Sequence, residues 1–300
     1  GFWSVVQAFS VKIRLMSLLV AFLVLQGCES GEQREYRGSL YFGTGAYLGQ
    51  LDLRNGNVAL LANLGDTVIR EVAAFGDDQL LLSVFGPVNH QDTFQLMQYE
   101  LAGGGLATLF NGRHGRYLPG PEALVFDDGA HLRMRVYGGR AMEESVVARH
   151  RVGAGAHILQ VYGPEFVYSF DSDTTIHSFD VETGESRPLD ALSQQCAVGG
   201  ALWIARRNAL LCKQSGPDGA YAFVSLSGEV LDALAIPDVG RFQAVAHLHD
   251  QDALVLTEAW QTIVGGNTRY AIWIYDLSTG KMVRLVKDQA LGSHVVYRAN

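Results

Sequence analysis

From Gly38 onward the chain is written in short runs of alternating or apolar residues, each closed by a cluster of turn formers. Residues 269–277 show the unit most plainly. Apolar and polar positions alternate, Ser278-Thr279-Gly280 makes a turn, and residues 281–285 resume the alternation. A period of two sends successive side chains to opposite faces of a strand, so the unit reads as a half-buried β-hairpin. It recurs at 46–53 with 57–61, 94–101 with 106–110, 145–151 with 157–161, 174–181 with 185–189, and 220–226 with 229–234. Further strand pairs lie between successive hairpins: 71–75 with 79–84, 123–126 with 131–136, and 243–247 with 253–257. No window keeps apolar residues at i, i+3, i+4 and i+7 without a glycine or a β-branched run breaking it. No substantial helix is expected.

Hairpins repeating every roughly 30 to 55 residues, with strands as their only element, predict a propeller. Counting four strands to a blade gives an all-β, six-bladed β-propeller over residues 38–300. Ser39-Leu40-Tyr41-Phe42 has no strand before it, and Ser293-His294-Val295-Val296-Tyr297 has none after it. Their pairing would complete the sixth blade and leave no free sheet edge. The blade containing residues 165–171 is expected to be degenerate, with only a short first strand. The blade pattern resembles the broad WD40-like and YVTN-like propellers, although no Trp-Asp dipeptide and no sialidase-type Asp box accompanies it. The eight-bladed outer-membrane assembly lipoproteins have more repeats than this chain offers. Two packed β-sandwiches are the competing arrangement.

The start of the chain follows another logic. Lys12 and Arg14 precede an apolar run over residues 15–25, then come Gly27 and Cys28. Cationic start, short apolar core and small residue are the layout of a secretory signal. The run is too short for a bilayer core, which needs about twenty apolar residues. Leu25-Gln26-Gly27-Cys28 resembles the lipobox of bacterial lipoproteins, which implies cleavage before Cys28 and acylation of its thiol. Residues 1–10 fit a signal poorly, and Val11 reads as the better start. The expected domains are a signal peptide over 1–27, a lipidated tether over 28–37 and the propeller over 38–300. Glu29 stands where many enteric lipoproteins carry the Asp that retains them at the inner membrane. The resemblance therefore implies an outer-membrane anchor facing the periplasm, if the host is Gram-negative.

Charge narrows the partners. Lys12 and Arg14 are the only charges in residues 1–27, so the remainder carries 21 Lys and Arg against 31 Asp and Glu, net near −10. Nucleic acid and anionic lipid both select cationic surfaces, so neither is an expected partner. Membrane contact falls to acyl chains, which anchor stably when more than one is present. The 273 remaining residues suffice for one well-packed domain, expected to be a monomer. An oxidising periplasm permits a bridge between Cys196 and Cys212, read as lying on non-adjacent strands, but spacing alone does not decide it.

The chemistry-bearing motifs are sparse. Residues 43–49 look like a dinucleotide loop but have the wrong spacing and lead into a strand, so they read as a turn. His247-Leu248-His249 places two imidazoles on one strand face, and Asp171-Ser172-Asp173-Thr174 spaces oxygens as calcium prefers, yet neither has the further ligands a metal site needs. No metal and no cofactor is expected. Loops are more telling, because a rigid scaffold concentrates binding groups on them. Segments 87–92, 111–117, 139–144 and 260–266 read as long connections on one face, opposite short turns at 54–56, 76–78, 127–129 and 278–280. Arg113, Arg116 and Arg140 would hold an anionic group there, with His90, His114, Tyr117 and Trp260 as hydrogen-bonding and planar contacts. The expected role is a lipid-anchored binding or scaffold protein of the cell envelope, engaging an envelope protein or a small anionic ligand. The alternatives are a propeller-fold hydrolase or lactonase and a lipoprotein that senses a small ligand. Inward-facing carboxylates or histidines converging from several blades would favour an enzyme. A broad loop face without perturbed titratable groups would favour a binding module.

Overall fold

The computed structural model describes residues 36–137, 143–214, 220–236, 239–261, 268–291 and 294–299. The signal-like segment, Cys28 and Arg140 lie outside the described residues. Among those described, the strands form six four-stranded antiparallel sheets. Blade one holds β1 (Ser39–Thr44), β2 (Tyr47–Asp52) and β3 (Val58–Asn63). Blade two is β4 (Val68–Phe75), β5 (Gln79–Val88), β6 (Gln91–Glu100) and β7 (Leu106–Asn111). Blade three is β8 (Arg113–Leu118), β9 (Ala123–Asp127), β10 (His131–Val136) and β11 (Glu143–Arg149). Blade four is β12 (Ala156–Tyr162), β13 (Glu165–Phe170), β14 (Asp173–Asp180) and β15 (Ser186–Pro188). Blade five is β16 (Leu202–Ile204), β17 (Ala209–Lys213), β18 (Tyr221–Val224) and β19 (Val230–Leu234). Blade six is β20 (Phe242–Leu248), β21 (Ala253–Gln261), β22 (Thr268–Asp276) and β23 (Met282–Lys287).

The last strand, β24 (Val295–Arg298), returns to blade one and pairs antiparallel with β1, Leu40 opposite Tyr297 and Phe42 opposite Val295. The protein is a six-bladed β-propeller closed by its first and last strands, as the repeat pattern predicts. The two-sandwich arrangement is excluded. The first strand of each blade lines a central channel, whose wall includes Val72, Arg116, Ile158, Leu202, Ala244 and Val296.

Hydrophobic residues sit between blades rather than within them. One cluster joins Leu211 and Phe223 of blade five to Leu254 and Leu256 of blade six. Another joins Val125 and Leu132 to Phe166 and Tyr168 across blades three and four. A third joins Tyr41 and Leu48 to Leu80 and Leu82 across blades one and two. Each blade therefore needs its neighbours to bury its faces, and stability accrues around the ring. Three turns share one local chemistry. Asp52, Asp180 and Asp276 end the third strands of their blades, and each carboxylate accepts the backbone N–H two residues on. Gly56, Gly184 and Gly280 then donate back to the Asp carbonyl at φ near +70°, a left-handed conformation that favours glycine.

Three sequence expectations need correction. Residues 145–151 and 157–161 are not a hairpin: β11 is the outer strand of blade three, β12 is the inner strand of blade four, and the Gly-rich turn carries the chain between them. The thinnest blade is the fifth, where β16 has only three residues, whereas blade four has all four strands. Ahead of β16, residues 189–201 form a connection holding only the single turn α1 (Asp190–Ser193). Cys196 lies on that connection rather than on a strand, and it is disulfide-bonded to Cys212 of β17.

The ring has two distinct ends. At one end, first strands join second strands and third strands join fourth. The chain also passes from Arg37 into β1 there, and the last strand is stitched down. Gln251 exchanges hydrogen bonds with the Arg37 backbone at 2.8 Å, and Tyr297 donates to Asp250 Oδ1 at 2.6 Å. The Arg298 guanidinium donates to the carbonyls of Gly76, Asp77 and Gln79. We call this the latch end and the opposite one the mouth. The loops expected on a single face are divided between them. The strand ends Val136 and Glu143, on either side of the loop expected at 139–144, mark the latch end, while the turn at 127–129 belongs to the mouth; residues 138–142 lie outside the described residues.

Candidate functional site

Residues 113–117 are no loop but the inner strand β8, running down the channel from the mouth. A bulge interrupts its pairing, since Arg113 faces Asp127 while Arg116 faces Val125. The extra residue is absorbed with His114 at φ +54°, left-handed and costly for a side chain larger than glycine. Such strain persists where surrounding structure enforces it, and it often marks a site where a side chain must be re-aimed. Here both His114 and Arg116 point at Glu71 on β4.

Glu71 is 6% exposed and is fully engaged. Arg116 Nη1 donates to Oε2 at 2.9 Å, and His114 Nδ1 lies 2.5 Å from Oε1. His294, just before β24, brings Nε2 to 3.4 Å from the same Oε1. Burial alone would raise the Glu71 pKa, but Arg116 together with the two histidines holds it well below the usual carboxylate range. The pKa of His294 is pushed down to about 4, chiefly by burial; Glu71 opposes the shift, and Arg116 and the other two histidines add to it. A neutral His294 fits the geometry, because Arg116 Nη2 faces its Nδ1 at 3.5 Å and that nitrogen must accept.

A second pair stands beside the first. His157 of β12 puts Nε2 2.7 Å from Oδ1 of Asp171, whose Oδ2 accepts the Gly155 N–H at 2.9 Å. Gly155 has to be glycine, because a Cβ there would sit 2.6 Å from Asp171 Oδ2. The His157 hydrogen bond and the Gly155 N–H lower the Asp171 pKa against the opposing effect of burial. The rings of His114 and His157 are 6.5 Å apart. Blades one to four thus send His294, Glu71, His114, Arg116, His157 and Asp171 to one end of the channel.

Two openings meet at this cluster. The throat, about 210 Å³, lies among the inner strands, and a wider hollow of about 700 Å³ opens beside it. His157, His294, Gly199 and Gly200 line both. Among the described residues no group of His, Cys, Asp or Glu is arranged to hold a metal ion. His247 points elsewhere, buried on β20 3.9 Å from Asp252 at the latch end, and His249 packs edge-on against Tyr297.

The residues expected from sequence scatter accordingly. Only His114 and Arg116 belong to the cluster. Arg113 turns away, donating to Asp127 Oδ2 at 2.9 Å and to the Ala154 carbonyl at 2.6 Å, with Phe94 beneath its guanidinium. Asp127 is fully buried and also accepts from Gly129 and Ala156 and meets His150 Nε2 at 3.0 Å. Arg113 is therefore a strut between blades three and four, neither exposed nor on a loop. Tyr117 packs edge-on against Phe75 near the latch end. His90 is exposed on the two-residue Asn89-His90 turn between β5 and β6, so segment 87–92 is no long connection. Trp260 is half-buried near the end of β21 opposite Arg269, and Arg140 lies outside the described residues. Glu71, His157 and His294 escaped the sequence reading, and Asp171 entered it only as one of a run of oxygens spaced as for calcium. A polar residue on or just before an inner strand was the one signal for the first three, and it means nothing until strand order is known.

No described protein family matches the chain, and no curated protein is similar enough to match it. Solved structures do. TolB from Acinetobacter baumannii superimposes with a TM-score of 0.58 at 12% identity, over 87% of this chain and 66% of that one. A TolB-assigned protein of Agrobacterium tumefaciens gives 0.55 at 12% identity, over 88% and 99%. Nidogen, in its complex with laminin, gives 0.54 at 12% identity, over 84% and 93%. At such identities the likeness is one of fold, and it agrees with the ring of blades described above.

Proposed function

We propose that this protein is a bacterial envelope binding module, held to the membrane by acylation of Cys28, whose ligand enters at the mouth of the channel. The observation that carries the reading is the convergence at one end of six ionisable side chains from four blades, one of them on strained backbone. Buried ions gain little over apolar packing, and titratable groups with shifted pKa values that converge in a cleft mark a candidate site. The propeller likeness to TolB supports an envelope setting.

The test is site-specific photocrosslinking in intact cells. Crosslinkers at Lys213 and Asp171 should capture a partner or block ligand uptake, while one at Asp77 on the latch end should not. Capture from Asp77 alone would place the interaction on the wrong face. Cys28→Ser should release the protein from the membrane fraction or leave its precursor uncleaved. An unchanged fractionation would remove the anchor from the reading.

A catalytic reading rests on a specific observation of its own. His157 is held by Asp171, and Ser169 lies directly across the ladder from it. Inward histidines and carboxylates are what the sequence criterion asked of an enzyme. Among the described residues, however, Ser169 makes no hydrogen bond to His157, and a nucleophile needs that bond to its base. Binding is kept as the leading role on that ground, although the shifted Glu71 and His294 depart from the unperturbed loop face expected of a binding module. Hydrolysis of p-nitrophenyl acetate that disappears in both Ser169→Ala and His157→Asn would reverse the order.

A further inference from the structure

The hollow beside the throat has a wall that the channel cluster does not explain. Its far side is Lys213, at the end of β17, and Gln243 of β20, both exposed. Its floor is Gly199-Gly200, where no side chain stands between a ligand and the backbone. We propose that this hollow binds a small hydroxylated carboxylate, its anionic group on Lys213 and its hydroxyls on His157 and Gln243. The proposal rests on the reading that the mouth is the ligand face and names the ligand's chemistry.

The sign of the ligand follows from which charges are already spent. Asp171 has both oxygens engaged, by His157 and by the Gly155 N–H. Glu71 is held by Arg116 and two histidines. Glu258, nearby on β21, takes Arg241 at 2.5 Å and the Trp273 indole N–H at 2.9 Å. Among the described residues Lys213 has no ion-pair partner, whereas the Asp171 carboxylate on the same hollow already accepts hydrogen bonds at both oxygens, so Lys213 is the charged group left to meet a ligand. An anion there gains a counter-charge at no cost to an existing bond.

The hydroxyls follow from the remaining lining. With Nε2–H given to Asp171, His157 presents Nδ1 as an acceptor over Gly199, where a Cβ would meet it at 3.2 Å. The Gln243 amide offers a donor and an acceptor, whereas Phe170 is the single aromatic wall. An apolar ligand would strand these groups; a polyol chain pairs them. The disulfide makes the wall rigid, because Cys196 lines the hollow and ties its connection to Cys212, next to Lys213. Preorganisation of this kind lowers the entropy cost of binding.

Gluconate, sorbitol and propionate separate the contributions, since sorbitol has the hydroxyl chain without the carboxylate and propionate the reverse. Binding to the full acylated chain in detergent is measured by titration calorimetry and ligand-observed NMR. Gluconate should bind at least about tenfold more tightly than either of the others. Lys213→Ala should reduce it to the level of sorbitol, His157→Asn should weaken gluconate and sorbitol together, and Asp77→Asn should change nothing. Should Lys213→Ala melt below wild type, Lys213→Met keeps the stem and removes the charge. Equal binding of gluconate and sorbitol, an unaffected lysine variant, or no binding of gluconate overturns the proposal. Photocrosslinking at the mouth would still stand in each of those cases, so the two readings fail separately.

Discussion

The two ends of this ring use the same residue types for opposite purposes. At the latch end, carboxylates are consumed by the backbone. Asp52, Asp180 and Asp276 cap their own turns, Asp250 receives the Tyr297 hydroxyl, and Arg298 is spent on three carbonyls. At the mouth, Arg116, His114 and His294 reach buried Glu71 from neighbouring blades, while His157 and the more exposed Asp171 pair within blade four beside them. Local bonds that satisfy the backbone hold a fold together. Long-range bonds among titratable side chains, partly exposed and strained, cost stability and gain chemistry. Charge alone therefore says little about function. What matters is whether a charged group answers to its own turn or to a different blade.

The largest effect should come from unfastening the latch. Removing residues 290–300 deletes β24, exposes the edge of β1 and takes His294 from the mouth. We expect loss of the cooperative thermal transition and aggregation on size-exclusion chromatography. A truncated chain that melts like wild type would mean that closure contributes nothing.

Next come the two arginines of β8. Arg113→Ala leaves Asp127 fully buried with only His150, itself 1% exposed, as a neighbour that could carry the counter-charge, a change that costs about 3 kcal/mol or more. Arg116→Ala should cost less, because His114 and His294 flank Glu71 and one of them can take up a proton in its place. Urea midpoints of the two variants test the order. The reverse ranking would make Arg116 the strut and Arg113 the spare group.

A smaller effect should appear with pH. The His294 pKa is lowered to about 4 in the folded protein, while the unfolded chain keeps the ordinary value near 6.5. Between those values the unfolded chain binds a proton that the native state refuses, so stability present at neutral pH falls as pH drops from about 6.5 to 4. Glu71, lowered in the folded state, acts in the same direction once pH passes below about 4.5. Denaturant melts at several pH values should show this slope, and His294→Asn should flatten its upper part. An unaltered slope in that variant would assign the loss to other groups.

The smallest effect is expected from residues whose sequence promise the fold did not keep. His90→Ala, at an exposed hairpin tip, should shift stability by no more than about 0.5 kcal/mol and leave gluconate binding unchanged. A measurable loss of binding would extend the site outward from the channel.

The period-two alternation and the Gly-closed turns determined the strands, their number per blade and the closing pair, because a strand's face and its turn are set by residues close together in the chain. The same local rules made 145–151 and 157–161 look like a hairpin, since a Gly-Ala-Gly turn does not record whether the strands beside it pair. Only the tertiary structure decided that Arg113 is a strut and Arg116 part of a cluster. The two stand three residues apart, yet one meets Asp127 of its own blade and the other Glu71 of the blade before it. His157 and His294 reach the same mouth across 137 residues of chain. A ring brings its inner strands together from every part of the sequence, so the chemistry at its centre is written in pairings that no local pattern carries.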